Sequence, residues 1–110
     1  MPPGQEDAAR AFYAAVLDLT EVEKPAALRA RGGAWFVGGA CHLHLGVQED
    51  FRAATKAHPA LAVDDLDAIA ERLREHGYPV DHADPAEFGV RFYTHDPFGN
   101  RLEFIEVRRD

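Results

Sequence analysis

Followed as a pattern of apolar and polar positions, the chain falls into two stretches that run through similar elements in the same order. From Glu6 to Leu17 the apolar residues Ala9, Phe12, Tyr13, Val16 and Leu17 recur at i, i+3, i+4, i+7 and i+8, the spacing of one helix face. Glu6 and Asp7 stand in the first turn, where the helix dipole favours acidic side chains. Leu19–Glu23 reads as a short strand, Lys24–Ala27 as a connector and Ala34–Val37 as an apolar strand. Gly38-Gly39 then makes a turn into Cys41–Val47, which alternates strictly, so these last two strands form a hairpin. Alternation sends Cys41, Leu43, Leu45 and Val47 to one face and His42 and His44 to the other.

Gln48–Lys56 is polar, lacks periodicity and reads as a linker. Beyond it, His58–Val63 is a predicted strand, with Pro59 confined to its start or to a sheet edge. Asp64-Asp65 opens a helix whose stripe is Leu66, Ile69, Ala70 and Leu73, ended by Gly77 and Pro79. Val80–His82 is a short strand and Asp84–Phe88 a polar turn. Val90–Thr94 and Arg101–Val107 are strands joined by a corner, where Pro97 presets φ, Asp96 can accept from following backbone N–H groups and Gly99 supplies a positive φ. On the last strand Leu102 and Phe104 face one way, while Arg101, Glu103 and Ile105 face the other. The second stretch is thus strand, helix, strand, strand, strand, and the first matches it if one opening strand is missing. Five residues, two of them proline, precede the first helix, too few for a strand.

Composition narrows the picture. At 110 residues the chain makes one domain, and 19 acidic residues against 12 Lys and Arg leave a net charge of -7. Nucleic acid and anionic membranes are excluded as partners by that balance, and a metal ion or a cationic small molecule suits it better. No apolar run approaches the roughly 20 residues of a membrane span, and the start lacks the features of a signal peptide, so the expected location is cytoplasmic. Cys41 is the sole cysteine, which rules out an internal disulfide.

Three strands each offer a candidate ligand from the face opposite their large apolar residues: His44 or His42, His58, and Glu103. Two imidazoles and a carboxylate suit Zn²⁺, Ni²⁺, Fe²⁺, Mn²⁺ or Co²⁺. His42 and His44 lie about 6.8 Å apart along a strand, too far for both to reach one ion through bonds of about 2.1 Å, and His44 is taken as the ligand.

Asp96-Pro97-Phe98-Gly99-Asn100-Arg101-Leu102-Glu103-Phe104, His58-Pro59-Ala60-Leu61-Ala62-Val63-Asp64-Asp65-Leu66 and Ala9-Arg10-Ala11-Phe12-Tyr13 resemble the vicinal-oxygen-chelate superfamily, which includes glyoxalase I, bleomycin-resistance proteins and extradiol dioxygenases. The resemblance implies an α+β fold of two βαβββ modules with curled mixed sheets around a cavity, here with the first strand of module one absent. Module one spans 1–47, a linker 48–57 and module two 58–110 within a single glyoxalase-like domain. Members that bind metal carry one ligand on the first and last strand of each module; by position these are His44, His58 and Glu103, and the fourth has no counterpart. The expectation is that Met1 follows the place where a first strand would end, either because the protein begins upstream or because another chain fills the gap.

The implied function is a glyoxalase-like metalloenzyme of lyase or isomerase type, in which a divalent metal chelates neighbouring oxygens of a small substrate and Glu103 serves as ligand or general base. Iron in the same set would allow a dioxygenase. The alternative from a different class is a non-catalytic binder of the bleomycin-resistance type, with Trp35, Phe36, Phe88, Phe92, Tyr93 and Phe98 as stacking surfaces. Arg91, Arg101 and Phe92 are the candidate substrate-binding residues, and a homodimer is implied.

Overall fold

Each of the two stretches forms its own compact unit, Met1–Ala53 and Ala54–Asp110, in the computed structural model, which describes residues 1–84 and 89–107.

In the first unit, α1 (Glu6–Ala9) continues as a π-helix over Arg10–Val16. The buried stripe is Ala9, Phe12, Tyr13, Val16 and Leu17, as the periodicity predicts. Its winding differs from the predicted α-helix, because Leu17 N–H reaches the Phe12 carbonyl five residues back. The stripe packs on the sheet formed by β1 (Thr20–Val22), β2 (Ala34–Gly38) and β3 (Cys41–Leu45), where the Tyr13 ring stacks on Phe36 at 5.5 Å. Between β1 and β2 lies α2 (Ala26–Arg29), on the segment read partly as a connector. None of its residues is buried, so it has no apolar stripe for periodicity to detect.

The sheet order is β1-β2-β3, all antiparallel, which leaves β3 at an edge. Beside the end of β3 sits Met1, buried, its ammonium donating to the Gly46 carbonyl at 2.7 Å and its own carbonyl accepting from Gln48 N–H at 3.0 Å. That is the bonding of a parallel pair.

The second unit shows the same place filled. Its strands are β4 (Ala60–Val63), β5 (Asp81–His82), β6 (Gly89–His95) and β7 (Arg101–Val107), ordered β4-β7-β6-β5. β4 runs parallel to β7, and the other pairs are antiparallel. The difference between the units is therefore the strand parallel to the last one, as the repeat comparison expects. Pro59 stands just before β4 and gives its carbonyl to Glu103 N–H, so its missing donor costs the ladder nothing.

Between β4 and β5, α3 (Leu66–Glu75) buries Leu66, Ala70 and Leu73 and packs against β7. Asp65 caps it by accepting from Ala68 N–H, and Gly77, at φ 81°, turns the chain so that Tyr78 N–H closes on the Leu73 carbonyl. The polar turn read at Asp84–Phe88 falls mostly outside the described residues. No described helix is long and apolar enough to cross a membrane.

Thr94 is buried in β6, and its Oγ1 has no hydrogen-bond partner among the described residues. A buried hydroxyl without a partner is destabilising, so Thr94→Val is expected to raise the unfolding free energy by about 1 kcal/mol in urea denaturation. A loss of stability would show that the hydroxyl is satisfied.

Candidate functional site

The β6–β7 register decides which side chains share a face. Tyr93 lies opposite Glu103, His95 opposite Arg101, and Arg91 opposite Ile105, one diagonal step from Glu103. On the other side of β7, Ala60 is the neighbour of Glu103, and its small side chain leaves room for His58 to reach across from just before β4. The opposite face carries Phe92, Leu102 and Phe104, all buried, with Phe92 and Phe104 at 5.5 Å between ring centres. One face of this sheet is core and the other is chemistry.

Glu103 is 6% exposed, and both of its oxygens are engaged. Oε1 lies 2.8 Å from His58 Nε2, and Oε2 accepts from Arg91 Nη1 at 3.3 Å. His58 Nδ1 is 2.8 Å from the Lys56 carbonyl. A carbonyl can only accept, so Nδ1 carries a hydrogen, and the short Nε2–Oε1 contact then requires one more hydrogen between those two atoms. Whether the pair is imidazole with carboxylic acid or imidazolium with carboxylate, a single proton joins them. The 2.8 Å contact is the tighter of the two at Glu103, and the arginine supports it from the far oxygen.

Arg91 also donates to the Tyr93 hydroxyl at 2.6 Å and, through Nε, to the Asp84 carbonyl at 3.0 Å. Desolvation works against its charge, but the hydrogen bonds to Glu103 and Tyr93 outweigh it and place its pKa above the ordinary arginine value. Tyr93 is the hub of the face. The His58 ring meets it edge-on at 5.3 Å, and the Arg101 guanidinium carbon lies over it at 3.8 Å.

His44 belongs to the first unit, on β3 opposite Trp35. It is exposed and stacked on the indole, with ring centres 3.7 Å apart and planes inclined by 2°. His42 is likewise exposed, opposite Val37. Within each unit, no three His, Cys, Asp or Glu side chains among the described residues converge as a metal set. The second unit thus brings His58 and Glu103 together with Arg91, and the first holds His44 in its own aromatic pair.

Phe92, read as a substrate-binding residue, is fully buried on the core face, because alternation along β6 separates it from Arg91 and Tyr93. Phe36 is buried in the same way, and Phe88 lies outside the described residues. Among the ring surfaces foreseen, Trp35 carries His44 and Tyr93 carries Arg101. The contact between Arg91 and Glu103 is missed by sequence reasoning. Its signal was available, since the Asp96–Asn100 corner dictates the hairpin register and hence the diagonal pair.

The donor chemistry of His58 and Glu103 suits a divalent ion. A metal-binding imidazole characteristically gives its other N–H to a backbone carbonyl, as His58 does to Lys56, leaving Nε2 for the ion. The Arg91 charge on Oε2 works against a dication. In the second unit, therefore, two donors fit, with one opposing charge beside them.

A sequence profile described as the Glyoxalase/Bleomycin resistance protein/Dioxygenase superfamily matches residues 2–104. The chain belongs to that superfamily. Among solved structures, a glyoxalase family protein from Bacillus anthracis is 41% identical, with a TM-score of 0.92, over 98% of this chain and 88% of that one. Lactoylglutathione lyase from Agrobacterium tumefaciens is 26% identical, with a TM-score of 0.70, over 96% and 88% respectively. An antibiotic-binding protein from a Streptomyces species shares the fold at a TM-score of 0.74 and 21% identity, over 98% and 91%. The search of curated proteins found no match. This glyoxalase-superfamily chain thus has the α+β fold that its motifs imply.

Proposed function

We propose that this glyoxalase-superfamily chain is a metal-dependent enzyme acting on a small organic molecule by proton transfer, with His58 and Glu103 as two donors to one divalent ion. The reading is carried by the His58 tautomer: Lys56 holds the hydrogen on Nδ1, so that Nε2 faces Glu103 as a ligand nitrogen would. When bound, the ion would supply a Lewis acid to neighbouring substrate oxygens. Likeness to a lactoylglutathione lyase supports lyase or isomerase chemistry over the iron dioxygenase alternative. The chain's own contribution is at Glu103. Arg91 occupies Oε2, leaving Oε1 as the oxygen that faces the ion or, when released from it, takes a proton from the substrate. Arg91, itself held by the Tyr93 hydroxyl, fixes that carboxylate in one orientation, and the pairing of two copies implied by the resemblance belongs to the same proposal.

Metal content of untagged protein, measured by elemental mass spectrometry, tests the reading. Wild type is expected to carry near-stoichiometric divalent metal, and His58→Ala and Glu103→Ala are expected to lose it. A wild type that stays metal-free after incubation with Zn²⁺, Ni²⁺, Fe²⁺, Mn²⁺ and Co²⁺ overturns it. The second reading, a non-catalytic small-molecule binder, is favoured by Arg91, which already balances the Glu103 charge. Metal-free protein with retained ligand binding would select it.

A further inference from the structure

We propose that the cleft beside Tyr93 seats the carboxylate of a singly charged small-molecule ligand, and that Arg101 is the residue that takes it. The inference deepens the reading above, since it rests on the polar sheet face of the second unit being the ligand face. The cleft encloses about 300 Å³ and is lined by Thr55, Asp81, Tyr93, His95, Gly99 and Arg101 among others. That size lies at the lower end of small-molecule sites. Register places it on the same face as Glu103, with Tyr93 directly opposite Glu103 and Arg101 two residues before it on β7.

Arg101 differs from its neighbour in what it does with its charge. Arg91 is spent on Glu103, Tyr93 and the Asp84 carbonyl. Arg101 is half-buried, and among the described residues the Tyr93 ring is the partner of its charge. At 3.8 Å from guanidinium carbon to ring centre, the cation lies in direct contact with the ring. No acceptor among the described residues takes the guanidinium N–H donors, which leaves them for a ligand.

A fork of parallel donors held in one plane matches a planar carboxylate. Tyr93 fixes the fork before any ligand arrives, so little side-chain entropy is lost on binding. Asp81 also lines the cleft and repels each negative charge a ligand brings, so a dianion is repelled about twice as strongly as a monoanion while the single guanidinium still offers one fork. A monocarboxylate is therefore preferred to a phosphate dianion, and a cation gains nothing from the arginine.

NMR titration of the ¹⁵N-labelled full chain with benzoate, benzamidinium and inorganic phosphate tests this. Benzoate is expected to shift the Arg101 Nε–Hε signal and the amides of Tyr93, His95 and Gly99 to saturation, with phosphate weaker and benzamidinium without effect on them. Arg101→Gln is expected to weaken benzoate binding by about tenfold or more, and Arg101→Lys, which keeps the charge but not the fork, by less. Absence of saturable benzoate binding, equal affinity in Arg101→Gln, or binding of benzamidinium or phosphate as tight as benzoate overturns the assignment. Metal content separates the two proposals. Arg101→Gln should retain whatever metal wild type holds, and benzoate binding through Arg101 in a metal-free wild type would leave this inference standing while the metalloenzyme reading falls.

Discussion

Replacing Asp96 by alanine is expected to lower the unfolding free energy by about 3–5 kcal/mol, the largest stability loss among the substitutions considered. Asp96 is fully buried at the β6–β7 corner. Its Oδ1 accepts from Phe98 N–H and Asn100 N–H, both at 2.9 Å, and its Oδ2 accepts from the Asn100 side-chain amide at 2.9 Å. Its backbone closes the same turn, through Asp96 N–H to the Asn100 carbonyl and Gly99 N–H to the Asp96 carbonyl. Alanine keeps the backbone bonds and removes the side-chain acceptors, leaving three donors without their partner at about 1 kcal/mol or more each. Gly99, at φ 86°, holds a conformation that this loop needs and that few other residues accept. Urea denaturation checks the figure, with Asp96→Asn as the comparison, since it retains one carbonyl acceptor and should lose roughly half as much. A loss under 1 kcal/mol for alanine would mean that the carboxylate is not what holds the corner. The functional consequence follows from register: this corner is what sets Tyr93 opposite Glu103.

The second large effect is expected at Arg91. Its guanidinium sits on the Oε2 of the carboxylate proposed as a metal donor, and a fixed positive charge there competes with a dication for the same oxygen. Arg91→Met removes the charge while keeping a long apolar stem, and is expected to tighten Zn²⁺ or Mn²⁺ binding by on the order of tenfold, with the gain largest at low ionic strength. Calorimetric titration of both proteins at two salt concentrations measures it. Weaker metal binding in the variant would show that Arg91 supports the metal-binding geometry rather than opposing it, and unchanged binding would place the ion away from Glu103.

The local charge adds to what composition suggests. A net charge of -7 suggests a cation as the ligand, yet the face that carries Glu103 also presents Arg91 and Arg101. Net charge sums the whole surface, whereas a ligand responds to the few charges within a Debye length, about 8–10 Å at ordinary salt. For the same reason a list of aromatic residues could not separate Tyr93, which carries an arginine, from Phe92 beside it, which lies in the core.

What the sequence by itself determined is what depends on neighbours along the chain. The helix stripes, the strands that alternate, the glycine and aspartate chemistry of the corner and the repeat with one strand lacking all arise from periodicity and turn preference, which act over a few residues. The superfamily follows from the same local motifs. Only the tertiary structure decided that His58 meets Glu103, that the Lys56 carbonyl takes the other ring nitrogen, that Arg91 claims the second oxygen, and that Arg101 rests on Tyr93. Those facts depend on distances between separate strands, where a shift of 1 Å decides whether a hydrogen bond exists, and no short-range pattern in the chain encodes that distance.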